Sequence, residues 1–289
     1  MAHRSIAHPV ALAALALLAA APVEASAIIE FDVPGSDFTT PFAMNSSGAI
    51  TGFYGVGDQD ASGFVRAADG TIAVFDPPLA KDSRAIGFDG HGNIFGTFQT
   101  EKIKVQGFIR APDGTIAVVN YRHSVVMSLN AVNSSGTVTG ERIGKGFEEH
   151  AFVRSPDGKF AFFDIPHGGD TAGYAINDAG TIAGTFDRGI PDHAFVRAAD
   201  GTLTTFDPKH SVDTEVGGIN ASGVIAGTYQ TSDDVIHGFL RRPNGSLVRF
   251  DAPDAVYATT PTSIDNSGVI TGFYADTGRT ASHGFIRMP

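Results

Sequence analysis

Three histidine–aspartate pairs in this chain share one spacing. His150 precedes Asp164, His193 precedes Asp207 and His237 precedes Asp251, each by 14 positions. An imidazole held by a carboxylate is general-base chemistry, provided that a nucleophile stands beside it in a cleft. Ser62 and Asp76 repeat the spacing with a hydroxyl, while Gln106 and Asn120 replace both members by neutral amides. Charge therefore changes on the two sides together, inside a single chain. A catalytic dyad is needed once, whereas these pairs recur. The spacing reads as a cross-strand rivet at the outer edge of a repeated unit, worth about 0.2–1 kcal/mol per pair. The same register sets His283 against Asp32, near the two ends of the chain.

The unit that positions these pairs recurs six times. A closing phrase centred on Phe falls at 31, 75, 119 (Val), 163, 206 and 250. A turn phrase, Asn/Asp-x-x-Gly, starts at 45, 89, 133, 177, 220 and 265. A third phrase ends at Arg66, Arg110, Arg154, Arg197, Arg241 and Arg287. Such regularity decides the architecture before any local propensity does. Within a unit the pattern predicts four short strands. In the fourth, Asn177-Asp178-Ala179-Gly180 and Ala199-Asp200-Gly201 are turns, and Pro208 ends the last strand because it cannot donate to a ladder. Small residues face the closing ring across the outer hairpin: Gly63 opposite Phe75, Ala194 opposite Phe206, Gly238 opposite Phe250, and Gly284 opposite Phe31.

These features predict an all-β fold, a six-bladed β-propeller of four-stranded blades. Its blades span about 40–76, 84–120, 128–164, 172–207, 215–251 and 260–287, the last completed by a closing strand at 28–33. An open solenoid is the alternative, which leaves both end repeats uncapped. Residues 1–27 read as a signal peptide: a polar start at His3 and Arg4, an apolar run from Val10 to Ala21, and Ala25-Ser26-Ala27 as a small-x-small cleavage pattern. The run is too short to span a bilayer. Residues 28–289 then form one secreted or periplasmic domain, with no membrane span and read as a monomer.

The net charge of −11 argues against a nucleic-acid partner. The absence of Cys removes disulfides and thiolate chemistry. No cofactor is expected, since no phosphate loop, nucleophile elbow or His-Glu-x-x-His occurs. His123, His167 and His210 share a register, yet equivalent positions on different blades lie too far apart for one metal ion. The six Arg read as local salt bridges or spacers between blades.

A site is sought where sequence varies on a constant scaffold, on the face carrying the second-to-third strand loops. Five residues before each turn Asn or Asp, at the expected channel mouth, stand Thr40, Arg84, Ser128, Ala172, Glu215 and Thr260. Arg84 and Glu215 belong to opposite blades and form either a polar clamp or a pair of solvated rim charges. Tyr174 in the same zone stacks on a sugar or packs a blade.

The phrases His150-Ala151-Phe152 and His193-Ala194-Phe195, with the leads at Ile176–Gly184 and Ile219–Gly227, resemble the HAF family of extracellular bacterial repeat proteins. The resemblance covers essentially all of 28–289. Ser62, Gln106, His237 and His283 introduce variants of the tripeptide and mark a divergent branch. The resemblance implies export and repeats, and supplies no catalytic residues. Two functions are expected from this reading. One is a non-catalytic scaffold binding a glycan or a protein through the variable face. The other is an extracellular polysaccharide hydrolase or lyase at the channel mouth. An enzyme should gather carboxylates, His or Tyr into one asymmetric cluster there.

Overall fold

A computed structural model describes residues 31–57, 61–102, 104–121, 124–187, 189, 192–253, 255–275 and 282–289. The fold is that of the unit Asp32–Pro289; the chain up to Phe31 is a separate unit, of which Phe31 alone is described. The signal-peptide reading of 1–27 lies outside the described residues.

Each repeat lays down antiparallel strands in sequence order, the first nearest a common axis. Repeat 4 shows the pattern with Thr171–Ile176, Ile182–Asp187, Asp192–Arg197 and Leu203–Phe206. The turns between first and second strands close as the sequence dictates. Asn177 Oδ1 accepts from the Thr181 amide at 3.0 Å, and Gly180 takes the left-handed φ of +77°. The first strands, Phe38–Met44, Ala80–Phe88, Val126–Val132, Thr171–Ile176, Ser211–Ile219 and Ala258–Ile264, neighbour one another in chain order around the axis.

Packing between repeats is aromatic. Phe64, Phe108, Phe152, Phe195 and Phe239, one in each third strand of repeats 1 to 5, are fully buried. The closing ring of one repeat meets the third-strand ring of the next edge-on, with centroids 5.9 Å apart for Phe75–Phe108, Phe163–Phe195 and Phe206–Phe239. The Arg that ends that third strand then lies over the same closing ring. Arg110 is 4.9 Å from Phe75, Arg197 is 4.8 Å from Phe163 and Arg241 is 4.7 Å from Phe206. Where the closing residue is Val119, Arg154 turns to Phe160 of its own repeat at 5.9 Å. The repeated Arg are thus stacked spacers between repeats. On the turn side, Asn133, Asn177 and Asn220 each donate a side-chain N–H to the backbone carbonyl of the next repeat's turn, at 3.0–3.1 Å.

Two expectations are corrected. The described strands form five sheets in place of six separate four-stranded blades: four of four strands, and one of seven in which the three strands of repeat 6 join repeat 5. The join is a single parallel bridge, Ile236↔Ala258, reinforced by the Ile236 amide donating to the Tyr257 carbonyl at 2.9 Å. Nor, among the described residues, does an N-terminal strand complete repeat 6. Outer strands elsewhere end at the closing residue, as at Phe75 and Phe206, and Asp32 and Val33 already lie beyond that point. The Val33 amide is taken by Thr39 Oγ1 at 3.0 Å, as Ala252 is by Thr259 Oγ1, so this stretch is an exit turn. Residues 28–30 lie outside the described set.

Candidate functional site

The axis of the molecule is lined by residues that fall out of register. In every first strand the ladder skips a residue near its middle or turn end, Phe42, Ile86, Asn130, Tyr174, Gly217 and Thr262, and the two longest strands skip a second near their start, Lys81 and Val212. An inserted residue bends the strand and re-aims its own side chain. A glycine in the second strand, four residues after the glycine of the turn phrase, makes this possible. A Cβ on Gly184 would sit 2.0 Å from the Ala172 carbonyl oxygen, and the equivalent glycines face the same obstruction. Only a bare Cα lets the displaced strand pass, so the repeated Gly is the sequence signal of the bulge.

The first six of these skipped residues line both of two neighbouring chambers. One, of about 800 Å³, is walled by turn residues such as Asn45, Asp89, Ser134, Asp178 and Asn266. The other, of about 500 Å³, faces the variable loops and holds Arg84, Ser128, Tyr174, Glu215, Thr228 and Thr260. Arg84, Tyr174 and Glu215, chosen from sequence, thus share one cavity. Arg84 is already occupied: its guanidinium contacts Asp82 at 3.2 and 3.3 Å and lies over Phe53 at 5.3 Å. Glu215 accepts only a long contact, 3.5 Å, from Thr228 Oγ1. No Arg84–Glu215 ion pair forms among the described residues. Tyr174 is 43% exposed.

Charge around Tyr174 is one-sided. Glu149 is pushed up to about 7, by desolvation first and then by Glu141, Asp170, Asp192 and Asp187. Asp192 and Glu215 are raised by desolvation and by Asp213. The Tyr174 phenol is raised by desolvation and by Glu141, Glu149, Asp192 and Glu215. Repeats 3 to 5 therefore gather acids on one side of the axis. Two of them, Glu149 and Asp192, open third strands where the other repeats carry Ala61, Val105, Ile236 and Ser282. That break in the repeat was the available signal. Asn130 ties this sector to the cavity, donating to Glu141 Oε2 at 2.8 Å and to the Gly173 carbonyl at 3.1 Å.

The His–Asp pairs stand elsewhere. Nδ1 of His150 lies 3.0 Å from both Asp164 oxygens, His193 is 2.8 Å from Asp207, and His237 is 2.9 Å from Asp251; none of these residues lines either chamber. Ser62 Oγ donates to Asp76 at 2.9 Å. Asn120 is directed to the Tyr121 amide at 2.8 Å, and not to Gln106. The side chain of His283 lies outside the described residues, and its pairing with Asp32 with it. His167 and His210 occupy left-handed turns, φ 62° and 68°, at the position where Leu79 has 65°. Their shared register is a backbone requirement, to which His is better suited than most residues; His123 is outside the described set. No three His, Asp or Glu are grouped to hold a metal among the described residues, and no described helix is long and apolar enough to cross a membrane.

No family model and no curated protein matches the chain. Solved structures do. A putative TolB from Agrobacterium tumefaciens aligns at TM-score 0.58 and 10% identity, over 86% of this chain and 88% of that one. Virginiamycin B lyase from Staphylococcus aureus aligns at 0.52 and 11%, over 85% and 83%. The six-bladed β-propeller lectin of Aleuria aurantia, described for its fucose recognition, aligns at 0.50 and 10%, over 85% and 89%. The fold is a β-propeller. At these identities the likeness is one of scaffold alone.

Proposed function

We propose that this propeller is an exported, non-catalytic repeat protein of the HAF type, acting as a monomer, that binds a glycan in its axial cavity. The observation that carries the reading is the placement of Tyr174. A bulge turns its ring into a chamber otherwise edged by the hydroxyls of Ser128, Thr228 and Thr260, the amide of Asn130 and the carboxylate of Glu215. A sugar offers an apolar C–H face to such a ring and hydroxyls to such a rim, and sites of this kind set a few polar groups in a concave wall. Lectins among the structural neighbours support the use of this scaffold for carbohydrate.

The test is a glycan array read with the native chain and with Tyr174→Ala. Binding that disappears in the variant supports the reading. Array silence together with capture of a purified extracellular protein would replace the glycan by a protein ligand. A second reading, a polysaccharide hydrolase or lyase, is favoured by the carboxyl of Glu149 held at about 7 near four other acids. Release of reducing ends from a bound polysaccharide, abolished by Glu149→Gln, would establish it in place of the first.

A further inference from the structure

The charges that line the glycan chamber do not cancel locally. Its guanidinium, Arg84, is spent on Asp82 by two contacts within the same strand. Its carboxylate, Glu215, has no cation within ion-pair distance among the described residues and receives only the long Thr228 contact. The same cavity is lined by the partly exposed ring of Tyr174, a face that attracts cations. Behind that ring, Glu141, Glu149 and Asp192 add field of the same sign. Arg142, next to Glu141 in sequence, is turned onto Tyr121 and Phe162, with Nε on Ser124 Oγ.

We infer that the glycan taken by this cavity carries positive charge, as an amino sugar whose ammonium group sits between the Tyr174 ring and the Glu215 carboxylate. The inference rests on the glycan reading above and narrows its ligand class. A cation there supplies the countercharge that Glu215 lacks among the described residues. A neutral or N-acetylated sugar leaves Glu215 desolvated without a partner, and an acidic sugar meets repulsion from several carboxylates.

The experiment uses an array of amino-sugar oligomers, each printed in N-acetylated form and in N-trimethylated form, so that ligand charge is fixed. It is read at about pH 7 and followed by calorimetric titration of the strongest matched pair. The charged member is expected to bind at least about fivefold tighter, a factor that corresponds to one cation–π contact or one modest ion pair. Glu215→Gln should collapse that ratio toward one. Asp69→Asn removes the same unit of charge from an exposed turn outside both chambers and should leave the ratio unchanged, which separates the cavity from general attraction to an acidic protein. Equal affinity for the two forms, or a ratio unaffected by Glu215→Gln, overturns the charge preference while leaving glycan binding intact. Failure of every oligomer to bind, or binding unchanged in Tyr174→Ala, overturns the cavity reading and this inference together.

Discussion

Replacing Glu149 by Gln should stabilise the protein in alkaline solution and leave it unchanged in acid. The carboxyl has an ordinary value of 4.5 and is raised to about 7 in the fold. A raised carboxyl binds its proton more tightly in the native state than in the unfolded chain. Its penalty is therefore absent below about pH 4.5, grows as pH rises, and is complete above about 7. The full shift corresponds to about 3.4 kcal/mol, from 2.5 units at 1.36 kcal/mol each. Glu149 is only half-buried, and solvent screening cuts this to about 1.5 kcal/mol. Gln keeps the volume and keeps the backbone amide that donates to Asp170 Oδ1 at 3.0 Å. At about pH 8 the variant should melt about 3–6 °C higher, and at about pH 4.5 within a degree of the native chain. Scanning calorimetry at the two pH values decides it. An equal shift at both, or none at pH 8, would refute the claim that neighbouring acids and burial load this site.

Three further outcomes follow from the packing. Gly184→Ala places a Cβ 2.0 Å from the Ala172 carbonyl and 2.8 Å from the Phe195 ring, so chemical denaturation should show a loss of about 3 kcal/mol or more. A double-mutant cycle on Phe163 and Arg197, stacked at 4.8 Å, should give a coupling of about 0.5–1 kcal/mol that survives high salt better than a surface ion pair; zero coupling would remove the stacking account. The same cycle on His193 and Asp207, at 2.8 Å, should give about 0.2–1 kcal/mol, and neither single variant should change ligand affinity.

Much of the scaffold was legible because it is written several times. The Asn-x-x-Gly turns, the Arg that ends each third strand and the 14-residue spacing of His and Asp each recur, and recurrence isolates a structural requirement from accident. His193 facing Asp207 follows from counting outward across a three-residue loop. The bulges were not legible from the lining residues themselves: Phe42, Ile86, Asn130, Tyr174, Gly217 and Thr262 share no chemistry, and the constraint is displaced onto the glycine of the neighbouring strand. The acidic sector was legible only in part: Glu149 and Asp192 break the repeat at one shared register, while Glu141 and Glu215 stand at other registers and join them only through the curvature of the assembly. The count of sheets failed for a local reason. One bridge at Ile236 and Ala258 suffices to merge two repeats, and periodicity carries no information about a single hydrogen bond.

A residue that the ladder skips makes no cross-strand pair, so exchanging it leaves the weave beneath intact. The axial wall is in effect a panel of dials, set in this chain to two aromatics, an aliphatic and a hydroxyl, while Gly217 is fixed by the Pro261 carbonyl 2.2 Å from where its Cβ would stand and Asn130 by its bonds to Glu141 and Gly173. Selectivity can drift there by single substitutions while the scaffold stays constant, and a library randomised at the exposed positions Phe42, Tyr174 and Thr262 should retain folding in most members while its ligands diverge.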